Sequence, residues 1–163
     1  MSEPGEFRRG VRIGVDVGEV RVGVARSDRD GVLATPVATI TGELPTSIDE
    51  LARIIETEGA MEVFVGLPRS LSGAEGRAAQ TARAYAVSLA NAVDVPVRVI
   101  DERLTTVSAH SAMHAAGRPG RKHRQVVDQV AAVMILQHAL DLERHTHAPA
   151  GEVIPAGSTK EES

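Results

Sequence analysis

Acidic residues stand in this sequence at three places where acids are unexpected. Asp16 interrupts the apolar run RIGVDV, Asp101 and Glu102 close the run VRVIDE, and Asp128 lies inside the helix-forming stretch VDQVAAVMILQ. Taken singly, each has a structural reading: Asp16 in a bulge or turn bond, Glu102 paired with Arg103 or Arg98, Asp128 paired with Arg124. Exposed pairs of that kind contribute only about 0 to 1 kcal/mol. Taken together they point to chemistry, because carboxylates converging on one sheet face repel one another unless a divalent cation neutralises them. The chain contains no Cys, so the donors are hard oxygens suited to Mg²⁺ or Mn²⁺. Two such ions about 3.5 to 4 Å apart would activate a water and stabilise the leaving oxygen in phosphodiester hydrolysis.

Asp16 is positioned by Val11 to Asp28, VRIGVDVGEVRVGVARSD, which reads as a β-hairpin turning at Gly18 and Glu19. Period-two alternation puts Ile13, Val15 and Val17 on one face and Arg12, Gly14, Asp16 and Gly18 on the other. The glycines beside Asp16 would let a ligand backbone approach its carboxylate. Val32 to Ile40 is a third extended segment, and Pro36 predicts that it lies at a sheet edge. Pro45 to Gly59 is an amphipathic helix with Thr46 or Ser47 as cap and Gly59 as stop. Glu62 to Leu67 is a short apolar strand, followed by a loop holding Gly73 and Gly76, an Ala-rich helix over Arg77 to Ala92, and a strand over Pro96 to Asp101. Alternation in VRVIDE places Asp101 and Glu102 on opposite faces, so at most one of them meets Asp16. Periodicity leaves open which one.

Helix formers run from Thr105 or Thr106 to Ala116, Gly117 to Gly120 break them, and Gln125 to Leu142 is apolar on most sides, hence mostly buried. Asp128 then falls near a helix N-terminus, where the dipole favours an anion. It has Arg124 one turn before it and the small residues Ala131 and Ala132 one turn after. The element order predicts an α/β protein: a mixed five-stranded sheet, its first three strands antiparallel, with helices on both faces. Residues 1–10 read as a flexible lead-in, 11–143 as one domain, and 144–163 as a disordered tail.

The 163 residues carry a net charge of -4, which argues against a general nucleic-acid coat. The charge is unevenly spread, however: Arg118, Arg121, Lys122 and Arg124 fall within seven residues that contain no acid. As a loop beside Asp128, this run together with His123 could hold phosphates by charge rather than by base readout. With no Trp, one Tyr and two Phe, stacking of bases on an aromatic platform is excluded as the main mode of binding. The Leu67 to Gly76 loop, with Gly73, could turn its N–H groups toward a nucleic-acid backbone. His110 and His114 have a zinc-binding spacing but lack a third ligand, and a solvated helix face is the better reading. No stretch has the length of a membrane span or the apolar core of a secretory signal, so the expected location is cytoplasmic.

GVDVGEVRVGVARSD, VFVGLP with its glycine loop, IDERLTT and VDQVAAVMILQ, in that order, resemble the YqgF/RuvX family, bacterial proteins similar to Holliday-junction resolvases of the RuvC type. The resemblance spans Val11 to Leu142. It implies an RNase H-like fold and a metal site of Asp16, Glu102 and Asp128, which selects Glu102 over Asp101 by analogy, and it leaves Arg103 either steadying a phosphate or pairing with Glu102. It also implies metal-dependent hydrolysis of structured nucleic acid: 5′-end processing of precursor 16S rRNA, or resolution of four-way DNA junctions by a homodimer. A non-catalytic ribosome-assembly factor is a third reading. An ATP-handling module, suggested by the similar hairpin of sugar kinases and actin-like proteins, would need a second copy of the fold to form its cleft. The chain departs from the family pattern at Glu19 in the hairpin turn and in the loop Arg69 to Gly73, which lacks an Asp.

Overall fold

The computed structural model describes residues 7–41, 43–68, 72, 74–102 and 121–155; for 121–128 it gives the backbone course alone. Strands β1 (Arg12–Val17), β2 (Arg21–Ser27) and β3 (Ala34–Thr41) form the expected antiparallel meander. Helix α1 (Leu44–Glu58), β4 (Glu62–Leu67), α2 (Arg77–Ala92), β5 (Val97–Asp101), α3 (Arg121–Thr146) and β6 (Glu152–Ile154) follow. The sheet order is β3-β2-β1-β4-β5-β6, with β4 parallel to β1, β5 parallel to β4 and β6 antiparallel to β5. The protein is thus a mixed α/β fold with helices on both faces. The sheet has six strands rather than five.

The sixth strand lies in the segment expected to be a disordered tail. There α3 continues to Thr146, and Ile154 is buried beside Val97. Polar composition hid this strand, because only one of its three residues faces the core. The lead-in is likewise tethered from Phe7 onward: Arg8 bonds Glu143 and Glu62, and the Phe7 ring lies between the guanidinium groups of Arg12 and Arg144.

Alternation decides which face each strand residue joins. Ile13, Val15, Val22, Val24, Val63, Val65, Val97 and Val99 pack with Ile48, Leu51 and Ile55 of α1 and the Ala-rich face of α2. Each such side chain buried contributes on the order of 1.5 to 3 kcal/mol. The other face carries Gly14, Ala25 and Gly66 among larger residues such as Phe64 and Ile100, and α3 lies close over its glycines. A Cβ on Gly14 would stand 2.6 Å from Leu136 Cβ and 2.8 Å from the Ala132 carbonyl oxygen. Ala131, Ala132, Ile135, Leu136, Ala139 and Leu140 form the buried stripe of α3, with Val130, Val133 and Met134 half-buried on its flanks. The helix buries one stripe rather than most of its circumference.

Pro36 does sit on an edge strand, opposite Ala25 and beside a register shift at Val24 and Ala25. The cap of α1 differs from expectation. Pro45 occupies the first turn, where its missing N–H costs nothing, so the helix starts at Leu44 with Glu43 in the cap position. Ser47 is buried instead, donating to the Leu44 carbonyl and accepting from the Tyr85 hydroxyl. Gly59 ends the helix in the left-handed region, φ 63°. Among the described residues no helix is long and apolar enough to cross a membrane.

Candidate active site

Three columns of side chains face α3. On β1 the column is Arg12, Gly14 and Asp16; on β4 it is Glu62, Phe64 and Gly66; on β5 it is Arg98 and Ile100, continued past the strand end by Glu102. The assignment follows from contact: Phe64 and Ile100 pack with Ile135 and Leu136 of α3, whereas Val99 packs with the α1/α2 side. Two-residue alternation then puts Glu102 on the α3 face and Asp101 on the other. The structure therefore supplies the choice that periodicity left open. Arg98, a candidate structural partner for Glu102, pairs with Glu62 at 2.7 Å instead.

Glu102 is 4% exposed, and its backbone N–H donates to the Leu67 carbonyl. Its carboxylate lies against Gly66 and Ile135: a Cβ on Gly66 would fall 2.2 Å from Glu102 Oε2 and 2.4 Å from Ile135 Cδ1. Glu102 has a polar partner, and among the described residues Oε2 itself accepts no hydrogen bond. One register step beyond the Val15 and Val65 pair brings Gly66 beside Asp16, and Gly23 pairs with Asp16 from the other side. The half-exposed Asp16 carboxylate thus stands between two positions without side chains.

The third acid is placed by the course of α3. Arg12 reaches Glu143, whereas Gly14 lies against Ala132 and Leu136, so β1 and α3 run in opposite directions. Two strand residues advance about 6.6 Å, equal to roughly four residues of helix. Asp16 is therefore level with the turn 128–132, which contains Asp128. Because α3 begins at Arg121, Asp128 lies two turns inside the helix and not at its N-terminus. The basic residues Arg121, Lys122, His123 and Arg124 form the start of this helix and not a loop, in keeping with the good helix propensity of Arg and Lys. Arg118, Arg103, Gly73, His110 and His114 lie outside the described residues. Glu19 is exposed in the β1–β2 turn, which also takes in Val20.

The family follows from comparison over this same span. The sequence model of the RuvX family, described as Holliday junction resolvase, matches residues 10–142. This chain belongs to the RuvX family. A Nocardioides protein named "Putative pre-16S rRNA nuclease" is 56% identical over 154 residues, covering 91% of this chain and 98% of its own length. A Thermobifida fusca protein of the same name is 52% identical over 156 residues, with coverage of 91% and 98%. Among solved structures, Thermus thermophilus RuvC superposes with a TM-score of 0.53 at 12% identity, covering 88% of this chain and 99% of that one. The same protein in complex with a Holliday junction substrate gives 0.52 at 15% identity, covering 89% and 99%. At these identities the likeness concerns the fold, which is RuvC-like and so RNase H-like. RuvX membership spans all the elements that carry Asp16, Glu102 and Asp128.

Gly66 and Gly23 were not singled out by sequence reasoning, although both were legible as glycines in phase with neighbouring acids. Gly66→Ala is expected to displace the Glu102 carboxylate and Ile135 together. Thermal unfolding should show a loss of about 1 to 3 kcal/mol, the usual cost of overpacking. Nuclease assays should show a fall of about a hundredfold, as expected when a reacting group is misplaced by about 1 Å.

Proposed function

We propose that this chain is a divalent-metal-dependent endonuclease acting in the cytoplasm on structured RNA, trimming the 5′ end of precursor 16S rRNA. The observation that carries the reading is the placing of Asp16 and Glu102 on the α3 face of the sheet, around Gly66, level with the helix turn that holds Asp128. The set fits Mg²⁺ or Mn²⁺: every donor is a carboxylate oxygen, and the missing side chain of Gly66 lets the Glu102 carboxylate lie over the strand beside Asp16. Among the described residues no group of three potential ligands forms; Asp128, whose side chain lies outside them, is the third ligand of the proposed set. Asp16, Glu102 and Asp128 would hold two ions, which when bound supply Lewis-acid stabilisation and a water of lowered pKa.

The chain's other residues bind and orient. Gly66 leaves room for the Glu102 carboxylate beside Asp16. Arg118, Arg121, Lys122, His123 and Arg124, with Arg103 and Gly73, would contact phosphates around it. Base stacking takes no part: Phe64 and Tyr85 are buried in the core, and Phe7 lies between Arg12 and Arg144. The names carried by the relatives favour rRNA, and the family description favours a second reading, cleavage of four-way DNA junctions. The two differ in assembly, because paired cuts in a two-fold junction require two sites and hence a homodimer.

A labelled precursor-rRNA 5′ leader and a four-way junction, offered side by side with and without Mg²⁺ or Mn²⁺, test both. Metal-dependent cleavage of the leader by a monomer is the expected result. Junction cleavage by a dimer would shift the assignment to DNA. Tight binding without cleavage in any metal would leave a binding factor.

A further inference from the structure

Directly after Asp128, Gln129 donates from Nε2 to Thr39 Oγ1 at 2.9 Å. Thr39 pairs with Gly23, and Gly23 pairs with Asp16. The helix residue next to Asp128 is therefore fastened to the very row of the sheet that carries Asp16, two strands away, or about 9 to 10 Å. Two turns further on, Gln137 makes a second fastening: its Oε1 accepts from the Ala34 N–H at 3.0 Å, and its Nε2 donates to the Val32 carbonyl at 3.0 Å. Between these points α3 packs on Gly14 and Ala25 and also on Phe64 and Ile100, and its far end is held through Glu143 by Arg8 and Arg12. Among the described side chains the Gln129 to Thr39 hydrogen bond is the directional contact nearest the Asp128 turn, so it bears most directly on the height of that turn.

We propose that Gln129 and Thr39 are positioning residues, which set the height of the Asp128 turn against Asp16 and Glu102 and thereby the affinity of the site for its metal. The inference rests on the metal-nuclease reading above. Outer hydrogen-bond partners that orient metal ligands typically affect affinity by about 10- to 100-fold. The pair acts one step further out, through the helix backbone, so the lower end of that range applies.

The test is Mn²⁺ binding by titration calorimetry on the full chain without nucleic acid, with melting midpoints recorded alongside. Thr39→Val and Gln129→Met should each weaken binding about tenfold, and the double variant should lose no more than either alone, because one bond is removed in all three. Thr39→Ser, which keeps the hydroxyl, should restore affinity to near the wild-type level. Unchanged Mn²⁺ affinity in either single variant, additive losses in the double variant, or a Thr39→Ser as weak as Thr39→Val would each overturn the proposal. A wild-type chain that binds no Mn²⁺ would overturn the metal-nuclease reading as well; one that binds it while the variants match it overturns this inference alone.

Discussion

Asp16→Asn is expected to lower cleavage of the rRNA leader by about a thousandfold or more at saturating Mg²⁺, equivalent to roughly 4 kcal/mol of barrier. The substitution keeps the shape of the side chain and removes only its charge. The residue is half-exposed, in a strand whose backbone pairs on both sides with β2 and β4, so the fold should persist. Without metal, the melting midpoint of the variant should lie within a few degrees of wild type. With Mn²⁺ the two should separate. A ligand that binds only the folded chain stabilises it by about 2.7 kcal/mol at a hundred times its Kd, and the variant should lose that increment. Asp101→Asn is the matched control, because Asp101 closes the same motif as Glu102 but faces the α1/α2 side. Its cleavage should stay within about threefold of wild type, the range of a surface substitution. Undiminished cleavage by Asp16→Asn would sink the carboxylate mechanism.

Much of this site can be read from the chain because strand alternation is a strict rule. Asp16 shares the parity of Gly14, and the collision that a Cβ on Gly14 would make with Leu136 shows which helix that parity faces. For Glu102 the same rule was insufficient: VRVIDE gives two acids on two faces, and nothing local says which face α3 covers. The contact of Ile100 with the Ile135 and Leu136 cluster settles it, and that contact lies 35 residues away in sequence. Boundaries failed where composition misled. Arg121 to Arg124 look like a loop because they are charged, yet charged residues with long unbranched side chains form helices well. Residues 152–154 look like a tail because two of the three are exposed, yet an edge strand needs only one buried side chain and a ladder of backbone bonds. The role of Gly66 was hidden for a further reason: a residue valued for its missing side chain shows its purpose only once its spatial neighbours, here Glu102 and Ile135, are known.

At the other end of the same columns, Glu143→Gln is expected to cost roughly 3 to 5 kcal/mol, the loss typical of breaking a buried ion pair by removing one partner. For a chain of this size that is a fall in melting midpoint on the order of 10 °C. Glu143 is 3% exposed and Arg12 is fully buried. Arg12 donates to Glu143 at 3.2 Å and to the Gly10 carbonyl at 3.0 Å, and Arg8 holds the same carboxylate at 2.7 and 3.0 Å. The amide of the variant would leave a guanidinium enclosed without its anion. Replacing Arg12 and Glu143 together by Met and Leu should cost less than the single change, because the buried Arg12 charge is then not stranded and the partly exposed Arg8 keeps Glu62. Burial pushes the Glu143 carboxyl up, but the hydrogen bonds from Arg8 and the charges of Arg12 and Arg8 outweigh it, and its pKa ends below the ordinary 4.5. The unfolded chain therefore binds the proton first, so the stability Glu143 contributes is present above about pH 4.5 and drains away as pH falls through its folded value. Asp28 is lowered in the same direction by backbone N–H bonds, chiefly from Leu33, so some acid sensitivity should persist in the variant. Urea unfolding at a series of pH values below 5 should accordingly show a steeper loss for wild type than for Glu143→Gln, and equal slopes would mean that the Glu143 carboxylate has the same pKa folded and unfolded.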